Sequence, residues 1–149
     1  MVFKNQPYKE TDLTNPINYY GFSKLEGEKK ILKSNINALI IRTSWLYSSN
    51  KNNFFSNIIR EPLNGKKAYL PVDPSVRHWH ASPKSATNFL IHSVSMEFSQ
   101  LENRRSLNLP GVSCTVEEQI EGLRSIAGQK VVDLIILKKD LTIQNMVEG

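Results

Sequence analysis

A phenol and an ammonium set four residues apart, Tyr20 and Lys24 in NYYGFSKLEGEKK, form the pair whose spacing best suits proton transfer. On a helix they lie one turn apart on the same face, while Tyr19 points about a quarter-turn away. Tyr20 is therefore the chemical candidate, and Tyr19 is assigned to packing. A phenol ionises near pH 10 in water and is a poor base at neutrality unless a nearby cation stabilises the phenolate. Lys24 supplies that charge. A tyrosine so tuned can take the hydroxyl proton of an alcohol while hydride leaves the same carbon, or return it in reduction. The competing reading is an interfacial tyrosine beside a solvated lysine on an ordinary amphipathic helix, because Tyr-x-x-x-Lys is common by chance.

VRHWHASP carries the second constellation. Arg77 can fork onto a carboxylate or phosphate, while His78 and His80 offer donors on alternating sides of an extended segment. A sugar-acid carboxylate is a natural partner for this set. Against that stand three plainer roles: Arg77 paired with Asp73, Trp79 in the core, and His80 capping a neighbouring loop. Two histidines two residues apart lack a nearby third ligand, so no metal is expected. In NNFFSN, Asn53 or Asn57 can hydrogen-bond a polyol, although asparagines at a helix start are more often caps. His92, in FLIHS, reads as a packed or surface histidine.

The elements that must position these side chains alternate along the chain. The proline of ETDLTNP opens a helix that runs through Tyr20, Lys24, Leu25 and Ile31 to the SNIN stop. ALIIRTSWLY reads as one strand buried on both faces, as a parallel sheet requires. A second helix fits NFFSNIIREPLNG, with Phe54, Ile58 and Ile59 inward, Pro62 threatening the last turn and Gly65 closing it. KAYLPV follows as a short strand. ASPKSATNFLIHSVSM forms the most regular amphipathic helix, with Ser82 as cap and Pro83 in the first turn. SLNLP is a strand, and TVEEQIEGLRSIAG combines a capping box with a terminal glycine. KVVDLIIL makes the last strand, before a helical or frayed tail. This alternation favours an α/β fold.

The 149 residues, 40% hydrophobic and 22% charged, suffice for one globular core. Cys114 is the single cysteine, which excludes an intrachain disulfide framework and suits a reducing compartment. Apolar runs such as VVDLIIL are far shorter than the roughly 20 residues needed to span a bilayer, and no charged-then-apolar signal opens the chain. A cytoplasmic protein without membrane contact is expected. The net charge of +5 is scattered, without the basic stripe and interleaved aromatics of a nucleic-acid face, so nucleic acid is not an expected partner. The charge suits anionic small molecules. Doubly wound nucleotide-binding domains begin with a strand and a Gly-rich turn that receives a pyrophosphate. With seven glycines and no G-x-G-x-x-G, the chain is expected to start partway through such a domain.

PINYYGFSKLEGE followed by IIRTSWLYS resembles the Tyr-x-x-x-Lys segment and following strand of extended short-chain dehydrogenases/reductases. Residues 1 to about 53, VFKNQPYKETDLTNPINYYGFSKLEGE above all, are most similar to dTDP-4-dehydrorhamnose reductases. From about residue 54, FFSNIIREPLNGKKAYLPVDPSVRHWHASPKSATNFLIH and RRSLNLPGVSCTVEEQIEGLRSIAG resemble the D-erythronate dehydrogenases of the same superfamily. The resemblance implies the C-terminal portion of a Rossmann-like, doubly wound fold without its glycine-rich half. Residues 1–149 then form one partial domain, about 1–60 from the cofactor and catalytic region and about 61–149 mostly a substrate-binding subdomain. It implies NAD or NADP as cofactor, faced by Tyr20, Lys24 and Arg42, with Lys24 also holding the nicotinamide ribose. The family's third catalytic residue, a Ser or Thr, would fall just before Met1. Substrate contacts are expected from Arg77, His80 and Asn53, and the expected partners are a small sugar acid and a second copy of the chain. The alternatives are a non-catalytic dehydrogenase-like subunit, an inactive fragment, or a dTDP-sugar reductase.

Overall fold

The computed structural model describes residues 8–47, 53–102 and 104–148; the VFKNQP part of the resemblance lies outside them. In chain order the elements are α1 (Tyr19–Lys33), β1 (Ile40–Arg42), β2 (Trp45–Leu46), α2 (Phe54–Leu63), β3 (Ala68–Leu70), β4 (Arg77–Ala81), α3 (Pro83–Val94), β5 (Ser106–Asn108), β6 (Val112–Thr115), α4 (Val116–Ala127), α5 (Gln129–Val132), β7 (Ile135–Leu137) and α6 (Leu141–Glu148). Contacts divide them into two units. The first takes in residues up to Ser44 together with Lys84–Pro110, and the second Trp45–Pro83 together with Gly111–Glu148. This interleaving is not described by a single cut near residue 60.

In the first unit, β1 and β5 pair in parallel, with Ile40 opposite Ser106 and Arg42 opposite Asn108. Asn18 starts α1 by accepting a hydrogen bond from the Gly21 amide at 2.8 Å, which satisfies one of the helix's orphan donors. Lys30 and Lys33 sit in the last turn, where the helix dipole favours cations. Beyond them Arg105 gathers carbonyls: its Nη1 donates to Leu32 and Ser34, its Nη2 to Ile31 and Ile36, and its Nε to Ala38. No side chain of α1 is fully buried. Helix α3 starts at Pro83, as expected, and buries Ala86 alone, with Leu90, Ile91 and Val94 exposed.

The second unit holds a three-stranded sheet, β2-β4-β6, and a separate parallel pair, β3-β7. Strand β2 runs parallel to β4, and β6 antiparallel to it with Cys114 opposite His78 and Val112 opposite His80. Phe55 and Ile58 of α2, Leu70 of β3, Val72, Val76, Val116 of α4 and Val147 of α6 form its core. Each fully buried side chain of this size contributes roughly 1.5–3 kcal/mol. Helix α2 ends as its sequence suggests. Gly65 takes φ 71°, its amide bonds the Pro62 carbonyl and the Lys66 amide bonds Glu61, a Schellman closure. Pro62 stays inside the helix and is buried. The capping box of α4 is also present, with Glu118 N donating to Thr115 Oγ1 at 3.0 Å and Thr115 N donating to Glu118 Oε2 at 2.7 Å. Gly111 packs so tightly that a Cβ there would lie 2.4 Å from the His80 carbonyl oxygen.

Two expectations are corrected. ALIIRTSWLY is not one doubly buried strand: Ile40 to Arg42 pair with β5, Trp45 and Leu46 pair with β4, and both pieces are at most half-buried. The break falls at Thr43 and Ser44, where the chain passes from one unit to the other. KVVDLIIL splits as well, because Gln129 to Val132 wind into α5, braced by a Gln129–Asp133 side-chain bond of 2.7 Å, before β7 begins. VSCT, ahead of the capping box, is the strand β6.

Candidate functional site

The two sequence constellations lie in different units. In the first unit, the Lys24 ammonium lies 5.2 Å from the centroid of the Tyr20 ring, and Tyr20 is 72% exposed. The i,i+4 spacing thus brings phenol and cation together on an accessible face. Tyr19 is 94% exposed, so it is not a packing residue among the described ones. Its direction on the helix, a quarter-turn from Tyr20, points it outward as well.

Arg42, expected near the cofactor, is engaged elsewhere. Its Nη2 and Nε fork onto the two oxygens of Glu28 at 2.5 and 3.2 Å, and its Nη1 donates to the Glu10 carbonyl at 3.2 Å. The hydrogen bonds to Glu28 push the guanidinium pKa further up, against the opposing effect of burial. Glu10 in turn accepts from the Asn108 amide at 2.8 Å, which holds its carboxyl below the usual range. Glu28 was not singled out from the sequence, although its place four residues after Lys24 was a signal that could have found it.

In the second unit, the neighbours along β4 diverge. Arg77 donates to the Ser113 carbonyl at 3.1 Å and to Glu118 Oε1 at 3.0 Å. Its partner is Glu118, not Asp73, whose carboxylate instead takes the Lys139 ammonium at 2.6 Å and the Ser75 hydroxyl at 2.8 Å and is held far below the usual carboxylate range. His78 and His80 do not point to alternating sides. Residues two apart on a strand share a face. Their ring centroids are 6.3 Å apart, and both rings meet Phe55 edge-on. Arg77 and His80, three apart, therefore face opposite ways.

His80 is 6% exposed. Its Nε2 lies 2.8 Å from Gln119 Nε2, while the Tyr47 hydroxyl bonds the Phe55 carbonyl and reaches Gln119 Oε1 at 3.0 Å. Burial and the neighbouring His78 push the His80 pKa down to about 4, burial alone lowers His78, and burial raises the Tyr47 phenol. Both imidazoles are thus held neutral, each with one N–H to donate, and His80 is buried with its Nε2 already against Gln119. Tyr47 and Gln119 carried no local sequence signal, because their partners come from distant segments. Asn53 is the cap of α2, its Oδ1 accepting from Ser56 N at 2.9 Å. Among the described residues no three His, Cys, Asp or Glu side chains converge as a metal site, and no helix is long and apolar enough to cross a membrane.

Residues 2–75 match the family described as the RmlD substrate binding domain. A D-erythronate dehydrogenase of Cupriavidus necator is 40% identical over 94 residues, 63% of this chain and 29% of that protein. A dTDP-4-dehydrorhamnose reductase of Sinorhizobium fredii is 49% identical over 57 residues, 38% of this chain and 19% of that protein. The crystal structure of a nucleoside-diphosphate-sugar epimerase from Agrobacterium tumefaciens superposes with a TM-score of 0.80 at 40% identity, covering 93% of this chain and 44% of that one. The fold is thus a mixed α/β, Rossmann-like one, and the chain spans less than half the length of these relatives.

Proposed function

We propose that the chain supplies the acid/base centre of an NAD(P)-linked oxidoreductase acting on a secondary alcohol of a small sugar acid such as D-erythronate. The observation that carries it is the Lys24 ammonium 5.2 Å from the exposed Tyr20 ring. The donor set fits a nicotinamide cofactor: a phenol and an ammonium on one open face can meet a substrate hydroxyl and a ribose hydroxyl. When bound, the cofactor accepts the hydride. In its deprotonated form Tyr20 would take the hydroxyl proton as the C–H and O–H bonds break and the carbonyl forms, with Lys24 as the cation beside it. Support for the acid as substrate comes from the D-erythronate dehydrogenase relative, whose match is the longer one.

In the second unit, taken by itself, Arg77 offers its guanidinium to a carboxylate in place of that of Glu118. Asn53 offers its amide hydrogens to a hydroxyl, since its oxygen caps α2. His80 supports β4 from its buried face. A second reading, a dTDP-sugar reductase, is favoured by the family match over residues 2–75.

The test is the chain fused behind the N-terminal part of the Cupriavidus necator enzyme, assayed with D-erythronate beside dTDP-sugars. Turnover of the acid is expected, with Tyr20→Phe lowering kcat by about 10²–10⁴ while cofactor affinity holds. Arg77→Ala should raise KM for the acid. Equal activity in Tyr20→Phe and parent would end the assignment, and preference for the nucleotide sugar would select the second reading.

A further inference from the structure

Helix α1 carries the Tyr20/Lys24 pair, yet no fully buried apolar side chain fixes its rotation in the first unit, Leu25 being half-buried. None of its side chains is fully buried, and Tyr19, Tyr20, Phe22, Ile31 and Leu32 are all exposed. Side-chain ties must do what packing does elsewhere. Arg105 holds only the carbonyls at the helix end and beyond, so it limits where α1 stops rather than which face it presents.

The tie that touches the reactive face is Glu28. Tyr20, Lys24 and Glu28 stand four apart in turn, within about 80° of one another around the helix axis. Glu28 is 14% and Arg42 27% exposed at the side chain, so the pair is sheltered, and its two-pronged geometry sets direction as well as distance. From Arg42 the network passes to the Glu10 carbonyl, and from the Glu10 carboxylate to the amide of Asn108, the register partner of Arg42 on β5. The fork therefore fastens the middle of α1 to both strands of the first unit.

We propose that the Arg42–Glu28 fork is the positioning element for Tyr20 and Lys24, setting the rotation of α1, and that Arg42 is not a cofactor ligand. The proposal rests on the acid/base role of Tyr20 given above. Its leverage is geometric. At roughly 6 Å from the helix axis, a rotation of about 10° carries a side chain about 1 Å, and a 1 Å misplacement costs on the order of 100-fold in rate. Lysine at position 42 keeps the charge but loses the planar fork that fixes the angle.

The experiment pairs a structural with a kinetic readout. In the 149-residue chain, amide hydrogen exchange is followed for α1 in Arg42→Lys, Glu28→Gln and the charge-swapped Glu28→Arg/Arg42→Glu chain. Exchange in α1 should rise about tenfold in each single variant, with the second unit unchanged, and fall back at least partly in the swap. In the fused protein, Arg42→Lys should lower kcat about tenfold or more while KM for cofactor stays within about twofold. Unchanged α1 exchange in both single variants overturns the proposal. So does a raised cofactor KM with α1 exchange unchanged, which would return Arg42 to direct cofactor contact. Loss of the underlying functional reading is separately visible, as full activity in Tyr20→Phe.

Discussion

The two units are held together by different physics. The second is closed by apolar burial: Phe55, Ile58, Leu70, Val72 and Val116 have next to no exposed surface, and even its histidines are kept neutral. In the first, Ala86, Leu101 and Leu109 are the buried apolar side chains among the described residues, and two arginines, Arg42 and Arg105, bind helix to strand. Apolar burial is non-directional, so a core tolerates small shifts of its elements. A guanidinium fork is directional and fixes an angle. The Tyr20/Lys24 pair sits on the element held by the directional device, and its aromatic face stays open. Accessibility of the Tyr20 side chain and burial of its helix compete for the same surface, and the polar ties relieve that competition.

The contrast can be broken most forcefully at Phe55. Phe55→Ala should cost about 3–5 kcal/mol of stability in the second unit, because the cavity sits amid α2, β4 and the paired imidazoles. Trp45 and Trp79, the two tryptophans, both lie in that unit, so fluorescence during urea unfolding reports it, while hydrogen exchange reads α1. A loss under about 1 kcal/mol would show that burial is not what holds the second unit.

Acidity separates the units next. The folded state resists protonating His80 until about pH 4, whereas the unfolded chain takes up that proton near pH 6.5. This contribution is complete above about pH 6.5 and is lost as pH falls toward 4, by up to about 3 kcal/mol. Glu10 loses its contribution in the same direction but in a lower window. Its folded pKa is depressed, so its contribution persists down to about the ordinary carboxylate value of 4.5 and is lost only below it. Between pH 6.5 and 4.5 the tryptophan-monitored urea midpoint should drop while α1 exchange, corrected for its intrinsic pH dependence, stays level. A flat midpoint from pH 7 to 5 would remove the histidine pair from the account.

The smallest effect compares two caps. Asn18→Ala and Thr115→Ala each remove one capping acceptor, worth about 1 kcal/mol. In the first unit the loss should appear as faster exchange confined to the opening turn of α1. In the second it should lower the whole urea midpoint, because Val116, next to the cap, is part of the core. Identical local fraying in both would erase the distinction.

What the sequence made legible was local. The spacing of Tyr20 and Lys24, the Thr115/Glu118 capping box, the closure at Gly65 and the start of α3 at Pro83 each depend on residues within one or two turns. The alternation of elements was enough for an α/β fold. What stayed hidden joins distant segments. Arg42 finds Glu28 fourteen positions earlier, Arg77 finds Glu118 rather than Asp73, and Gln119 reaches His80 and Tyr47 from another element. The break inside ALIIRTSWLY was hidden for the same reason, since its two halves pair with strands from different units. The facing of His78 and His80 was different in kind: the two-residue period of a strand already placed them together.

Arg105 has a consequence for variation along the chain. Its five donors are directed at main-chain oxygens of Ile31, Leu32, Ser34, Ile36 and Ala38, and at no side chain among them. Every amino acid presents the same carbonyl. Substitutions along the turn that leads out of α1 leave this clasp intact as long as the backbone path holds, whereas position 105 admits no equivalent, since lysine brings only three donors and no fork. The reversal after α1 is thus written in one distant residue, and the turn itself is left free to drift.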